Sequence, residues 1–255
     1  MKLFYREIGE GKPIVLIHGL FGASDNLFSA GKALAEDYKV YLLDQRNHGS
    51  SPHSDEHTYA AMANDLKEFL ESNNLENPLI IGHSMGGKAV MKFAADNPDF
   101  EARYVVMDIS PRFYNRHHDQ ILDGLNSIKI DEISSRQDAD KQLSDYVQEL
   151  GVRQFLLKNL ERSDSGFQWK INLKVITEQI ENIGEGLDED IQIDRPFLFI
   201  KGNNSNYIRE EDEKLIRKQF TNVEIKGLEG AGHWLHAEKP KEFVELIRDF
   251  MKSSE

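Results

Sequence analysis

The chain has no cysteine, which excludes disulfides, a thiol nucleophile and any cysteine-ligated zinc or iron–sulfur centre. Positive charge is in short supply: 31 Lys and Arg stand against 44 Asp and Glu, a formal net charge of −13. That balance repels phosphate backbones and the basic residues form no long run, so nucleic acid is not expected as a partner. No apolar stretch approaches the roughly 18 residues needed to cross a bilayer. The opening Met1-Lys2-Leu3-Phe4-Tyr5-Arg6-Glu7 lacks the apolar core and cleavage site of a secretory signal. No membrane association is therefore expected, and a reducing, cytoplasmic location fits the missing thiols. Internal repeats and low-complexity segments are absent as well, which removes solenoids and disordered linkers.

What the 255 residues do contain is enough apolar material for one large domain, or for a core with an insertion. Short apolar runs alternate with amphipathic helical patterns, as in a parallel α/β sheet. The expected buried strands are Ile14–Ile17, Val40–Leu43, Leu79–Ile81, Tyr104–Met107, Phe197–Ile200 and Val223–Ile225. Thr58 is placed to cap a helix carrying Tyr59, Met62, Leu66, Phe69 and Leu70. Pro240 opens a C-terminal helix with Phe243, Leu246, Ile247 and Phe250 on one face. Between about Pro111 and Arg195 the alternation stops. Four helical patterns follow one another there: Ile121 to Ile128, Leu143 to Leu150, Val152 to Leu160, and Leu173 to Ile183. The expected organisation is a core of residues 1–110 and 195–255 with a helical cap, 111–194, inserted after a sheet strand. Ligands of open α/β sheets bind beyond the carboxyl ends of the strands, so a cap leaving such an end would cover the site.

The sharpest chemical signal is Gly82-His83-Ser84-Met85-Gly86, between a predicted strand and a predicted helix. In G-x-S-x-G the serine sits on a strained turn that lifts its hydroxyl clear of the sheet, and the flanking glycines relieve the crowding. A hydroxyl of ordinary acidity needs a base. His233, in Glu229-Gly230-Ala231-Gly232-His233, follows the last predicted strand and is the candidate; His236 reads as structural. An oxyanion needs two backbone N–H donors. Met85 offers one, and the loop His18-Gly19-Leu20-Phe21-Gly22 offers the other, with Leu20 the first choice and Phe21 the second. His18 and His48 read as loop-fixing residues. Glu210 to Glu213 read as an acidic first turn of a helix, and Trp169 and Trp234 as packing residues able to line an acyl pocket. His117-His118 with Asp119 lacks the spacing of a metal site, and no metal or cofactor is expected.

The segments HGLFG, DQRNHGSS, GHSMGGKAV, DISP and GAGHWLHAEKP together resemble the α/β-hydrolase superfamily, and within it the YbfF-type bacterial esterases, small serine hydrolases of short acyl esters. The resemblance runs from about Pro13 to Phe250. It implies an eight-stranded, mostly parallel sheet with a helical cap after the sixth strand, and a triad falling on Ser84, Asp108 and His233. The commoner superfamily pattern puts the acid after the next sheet strand, where this chain has Gly202-Asn203-Asn204-Ser205 and thus a serine. Asp108, ending Tyr104–Met107, is the better candidate. Arg112 and Arg116, just beyond it, are candidates for recognising an anionic substrate. The expected activity is hydrolysis of short acyl esters; the sequence leaves open whether acyl-CoA thioesters are cleaved. Carbon–carbon bond hydrolysis on the same triad and a non-catalytic ligand-binding protein on the same fold are the alternatives.

Overall fold

A computed structural model describes residues 1–116, 118–164 and 166–252. Strands β1 (Tyr5–Ile8), β2 (Pro13–Ile17), β3 (Lys39–Leu43), β4 (Leu79–His83) and β5 (Arg103–Met107) come first, with helices α1 (Ser24–Leu34), α2 (Tyr59–Ser72) and α3 (Met85–Asp96) between them. An insertion then carries α4 (Asp119–Ser127), α5 (Arg136–Leu143), α6 (Leu150–Leu156), β6 (Leu160–Ser163), β7 (Gly166–Trp169) and α7 (Leu173–Glu178). The chain returns through β8 (Phe197–Gly202), α8 (Glu210–Gln219), β9 (Val223–Leu228), α9 (Leu235–Glu238) and α10 (Pro240–Lys252).

The main sheet runs β1-β3-β2-β4-β5-β8-β9. Only β1 is antiparallel to its neighbour. Strands such as Ile14-Val15-Leu16-Ile17 are apolar at every position because helices cover both faces. Their side chains alternate between two cores. Val15, Ile17, Ile80, Tyr104, Val106 and Phe199 pack beneath α2, α3 and α8. Ile14, Leu16, Val40, Leu79, Val105 and Leu198 pack beneath α1 and α10. Thr58 caps α2 as expected, its side chain accepting from the Ala61 N–H at 3.2 Å. The acidic turn Glu210 to Glu213 does open α8.

The sheet has seven strands among the described residues, one fewer than the resemblance implies. The residues before β1 do not pair beside it. They turn instead towards α2, where the Met1 ammonium donates to Asp65 at 2.6 Å and Glu68 at 2.7 Å. In chain order the insertion therefore follows the fifth strand. It is also less helical than its pattern suggests. β6 and β7 form an antiparallel hairpin, and Tyr146 and Val147 lie on the turn joining α5 to α6 rather than in a helix. Its inner faces share a third core with Phe21, Tyr59, Met62, Met85 and Ala89 at the carboxyl end of the sheet.

Candidate active site

Ser84 stands at the junction of β4 and α3 with φ 51° and ψ −115°. A left-handed backbone at a non-glycine residue costs about 1–3 kcal/mol and persists only where its surroundings impose it. Here they do. The Ser84 N–H is drawn to the Met107 carbonyl at 3.0 Å and its carbonyl accepts from Lys88 N–H at 3.1 Å. A Cβ on Gly82 would meet the Gly86 carbonyl oxygen at 2.3 Å, and one on Gly86 would meet that of Ile17 at 2.6 Å. Both glycines are thus required for the turn to close against β2. Ser84 is left half-buried on the wall of a cavity of about 250 Å³.

Asp108 directly follows β5 in the same left-handed region, φ 50°, and is fully buried. Its Oδ1 accepts the Gly202 N–H at 3.1 Å. Its Oδ2 accepts the Ser205 hydroxyl at 2.5 Å and lies 2.8 Å from Nδ1 of His233. That contact fixes the imidazole tautomer: Nδ1 carries the proton, leaving Nε2 as the basic atom. The His233 ring stacks on Tyr207, with centroids 4.1 Å apart and planes 25° from parallel. Its carbonyl accepts from Nε2 of His83 at 2.8 Å. Glu238 holds the loop from below, accepting from the N–H groups of Gly232 at 2.7 Å and Trp234 at 3.2 Å. His233 lines the same cavity as Ser84. Burial pushes His83 well below the ordinary histidine range and His236 down to about 4. Both are neutral fixtures at neutral pH.

The loop after β2 passes Gly19, Leu20 and Phe21 along that cavity. Two histidines shape it. Nδ1 of His18 donates to the Gly19 carbonyl at 2.8 Å while Nε2 accepts the Gln45 N–H at 3.0 Å. His48 accepts the Phe21 N–H on Nε2 at 3.1 Å, so that N–H is already engaged and Phe21 is not available as an oxyanion donor. The N–H groups of Leu20 and Met85 make no such bond among the described residues. Phe21 itself takes φ 58°.

The structure does not bring Arg112 and Arg116 to this cavity. Arg112 pairs with buried Asp212 at 2.9 Å, its guanidinium 3.8 Å from the Tyr114 ring centroid. Arg116 is engaged with Asp119, its neighbour one turn on. Neither lines the cavity, and each already has a carboxylate. Trp234 does line it, whereas Trp169 borders a separate groove. His117 lies outside the described residues.

The α/β hydrolase fold model matches residues 12–240. The chain belongs to that family. Over 240 residues it is 38% identical to the esterase YbfF of Escherichia coli K12, covering 94% of this chain and 92% of that protein. It is 37% identical over 246 residues to the Mus musculus sn-1-specific diacylglycerol lipase ABHD11, covering 93% of this chain and 80% of the other. Among solved structures, a marine microorganism esterase superposes with a TM-score of 0.94 at 44% identity, over 98% of this chain and 99% of its own.

Tyr207, His83 and Ser205 were not readable in this α/β hydrolase as partners of the candidate base and acid. His83 occupies a free position of G-x-S-x-G, and Tyr207 sits on an irregular loop with no periodicity. Ser205 stands where the commoner superfamily pattern has its carboxylate, and its hydroxyl donates to the Asp108 carboxylate at the end of the neighbouring strand.

Proposed function

We propose that the protein is a serine carboxylesterase for short acyl esters, working through Ser84, His233 and Asp108. The observation that carries the reading is the 2.8 Å contact of Asp108 with Nδ1 of His233, on a cavity that also holds a backbone-strained Ser84. In this reading His233 Nε2 takes the Ser84 proton as Oγ attacks the ester carbonyl. The oxyanion forms against the N–H groups of Leu20 and Met85, the latter at the positive end of α3. Protonated His233 is stabilised by Asp108 and returns the proton to the leaving alcohol. Water, deprotonated by the same imidazole, then releases the acid from Ser84. No metal or cofactor enters these steps. Residues 111–194 act as a cap over a core of 1–110 and 195–255, with Val152, Phe155 and Leu156 of α6 facing the cavity.

The relatives support acyl-ester chemistry, since two are named esterase and one diacylglycerol lipase. Labelling with a fluorophosphonate and turnover of p-nitrophenyl butyrate test the proposal together. Wild type should be labelled at Ser84 and turn over the ester, and Ser84→Ala should do neither. Turnover at equal rates in both would remove Ser84 from the mechanism.

A further inference from the structure

The Ser84 cavity has a larger neighbour. A space of about 700 Å³ opens between the loop after β2 and the insertion, and it shares Phe21 and Asn26 with the smaller cavity. Helix α6 is the partition. Val152, Phe155 and Leu156 line the Ser84 side, whereas Leu150 and Gln154 of α6, with Leu157 and Lys158 of the turn that follows it, line the outer one. The two spaces differ in chemistry. The inner one carries the Ser84 and His233 groups among apolar side chains such as Val152, Phe155, Leu156 and Trp234, with no Lys, Arg, Asp or Glu in its lining.

The outer cavity is lined by three cations, Arg136, Lys158 and Lys170. None has a carboxylate partner among the described residues, although one Arg136 nitrogen donates to the Leu160 carbonyl at 2.7 Å. The two carboxylates on the same wall are already matched. Asp25 pairs with Arg6 at 2.6 Å, and Asp140 with Arg153 at 2.8 Å. A chain of net charge −13 therefore keeps a locally positive recess one partition away from Ser84. A protein with an unfavourable overall field needs such local cations to hold an anion.

We infer that the outer cavity is a subsite for a phosphate carried by the leaving-group half of the substrate, seated by Arg136, Lys158 and Lys170. This rests on the esterase reading above and names its substrate class. A phosphomonoester carries about −1.5 to −2 at pH 7, which suits three uncompensated cations better than a single carboxylate does. The acyl chain occupies the inner cavity with the ester carbonyl at Ser84, and the phosphate-bearing alcohol extends outward past Phe21. The site is open to solvent and salt-screened. Pairings of this exposed kind are individually weak, so their combined effect is expected to be about five- to thirtyfold.

The test compares three butyryl esters that share one acyl group and a three-carbon alcohol: 1-butyrylglycerol, its 3-phosphate, and 3-butyrylglycerate. The readout is kcat/KM relative to the neutral ester, in wild type and in Arg136→Gln/Lys158→Gln/Lys170→Gln. Each protein is its own reference. In wild type the phosphate ester should be favoured about five- to thirtyfold, with the gain in KM and declining as salt rises. In the triple variant the ratio should fall towards one. A ratio near one in wild type, a ratio the triple variant leaves intact, or an equal gain with the glycerate ester would overturn the inference. Failure of p-nitrophenyl butyrate turnover would instead count against the esterase reading itself.

Discussion

Three donors converge on the Asp108 carboxylate, and they are not equivalent. The Gly202 N–H holds Oδ1, and the Ser205 hydroxyl and His233 Nδ1 share Oδ2. Asp108→Asn keeps the size of the side chain but offers an NH2 group to two donors. The imidazole must then turn or change tautomer, and in a comparable serine hydrolase that change lowers kcat by about 10⁴. We expect a loss of roughly 10³- to 10⁴-fold in kcat here, with the melting temperature shifted far less; near-normal kcat would mean that another acid serves His233. Ser205→Ala removes one donor and leaves the other two. A hydrogen bond to a charged group contributes about 1.5–3 kcal/mol, so its kcat should fall by about ten- to a hundredfold, short of the Asp108→Asn value.

At the scale of elements, the insertion is fastened where it leaves and rejoins the core. The two crossing segments pair with one another, Tyr114 N–H to the Gly184 carbonyl at 2.8 Å and Leu187 N–H to that of Pro111 at 2.9 Å. Lys88, one turn into α3, pins the pair from below. Its buried ammonium donates to the Arg112 carbonyl at 2.5 Å and the Glu185 carbonyl at 2.6 Å, and it lies 5.1 Å from the Tyr114 ring centroid. Burial, with the nearby Arg112 charge, pushes this lysine down to about 7, against the pull of Glu185 and Asp212. The unfolded lysine titrates near 10.4. Between those values the unfolded chain holds a proton that the folded one has released, so stability rises with pH. Relative to Lys88→Met, wild type should gain up to about 1.4 kcal/mol per pH unit above pH 7 in urea unfolding. A difference that stays flat from pH 7 to 9 would show that Lys88 is not titrating there.

For the whole molecule, the arrangement of layers decides what the substrate meets. The inner cavity, about 250 Å³, lies just below the roughly 300–1,000 Å³ typical of small-molecule sites. Short acyl chains should therefore be preferred in a p-nitrophenyl ester series. Apolar contacts discriminate by only about 1–3 kcal/mol per methylene, so the preference should be graded. Phe155 projects from α6 into this space and lies against Trp234, centroids 5.7 Å apart. Phe155→Ala should move the preferred chain length upward by several carbons. An unchanged profile would show that acyl chains do not reach α6.

Local chemistry determined much of this protein. Five buried strands, the Thr58 cap, the Pro240 helix start and the turn at Ser84 each rest on residues adjacent in the chain; the sixth expected strand, β9, forms as well but at the edge of the sheet, where Val223 and Ile225 are only half-buried. Periodicity and glycine placement report such features directly. Strand β1, Tyr-Arg-Glu-Ile, escaped because an edge strand with half-exposed residues has no apolar run. The β6–β7 hairpin escaped because two four-residue strands of mixed polarity resemble helix as much as sheet. Only the tertiary structure decided where Arg112 points, because the competing carboxylate, Asp212, lies 100 positions away in sequence. The same holds for Phe21, whose N–H is claimed by His48 from the neighbouring loop, and for Ser205, whose partner belongs to the adjacent strand. Residue types set which hydrogen bonds and ion pairs could form. The meeting of the loops after β5 and β8 with the insertion at one end of the sheet selected which ones did.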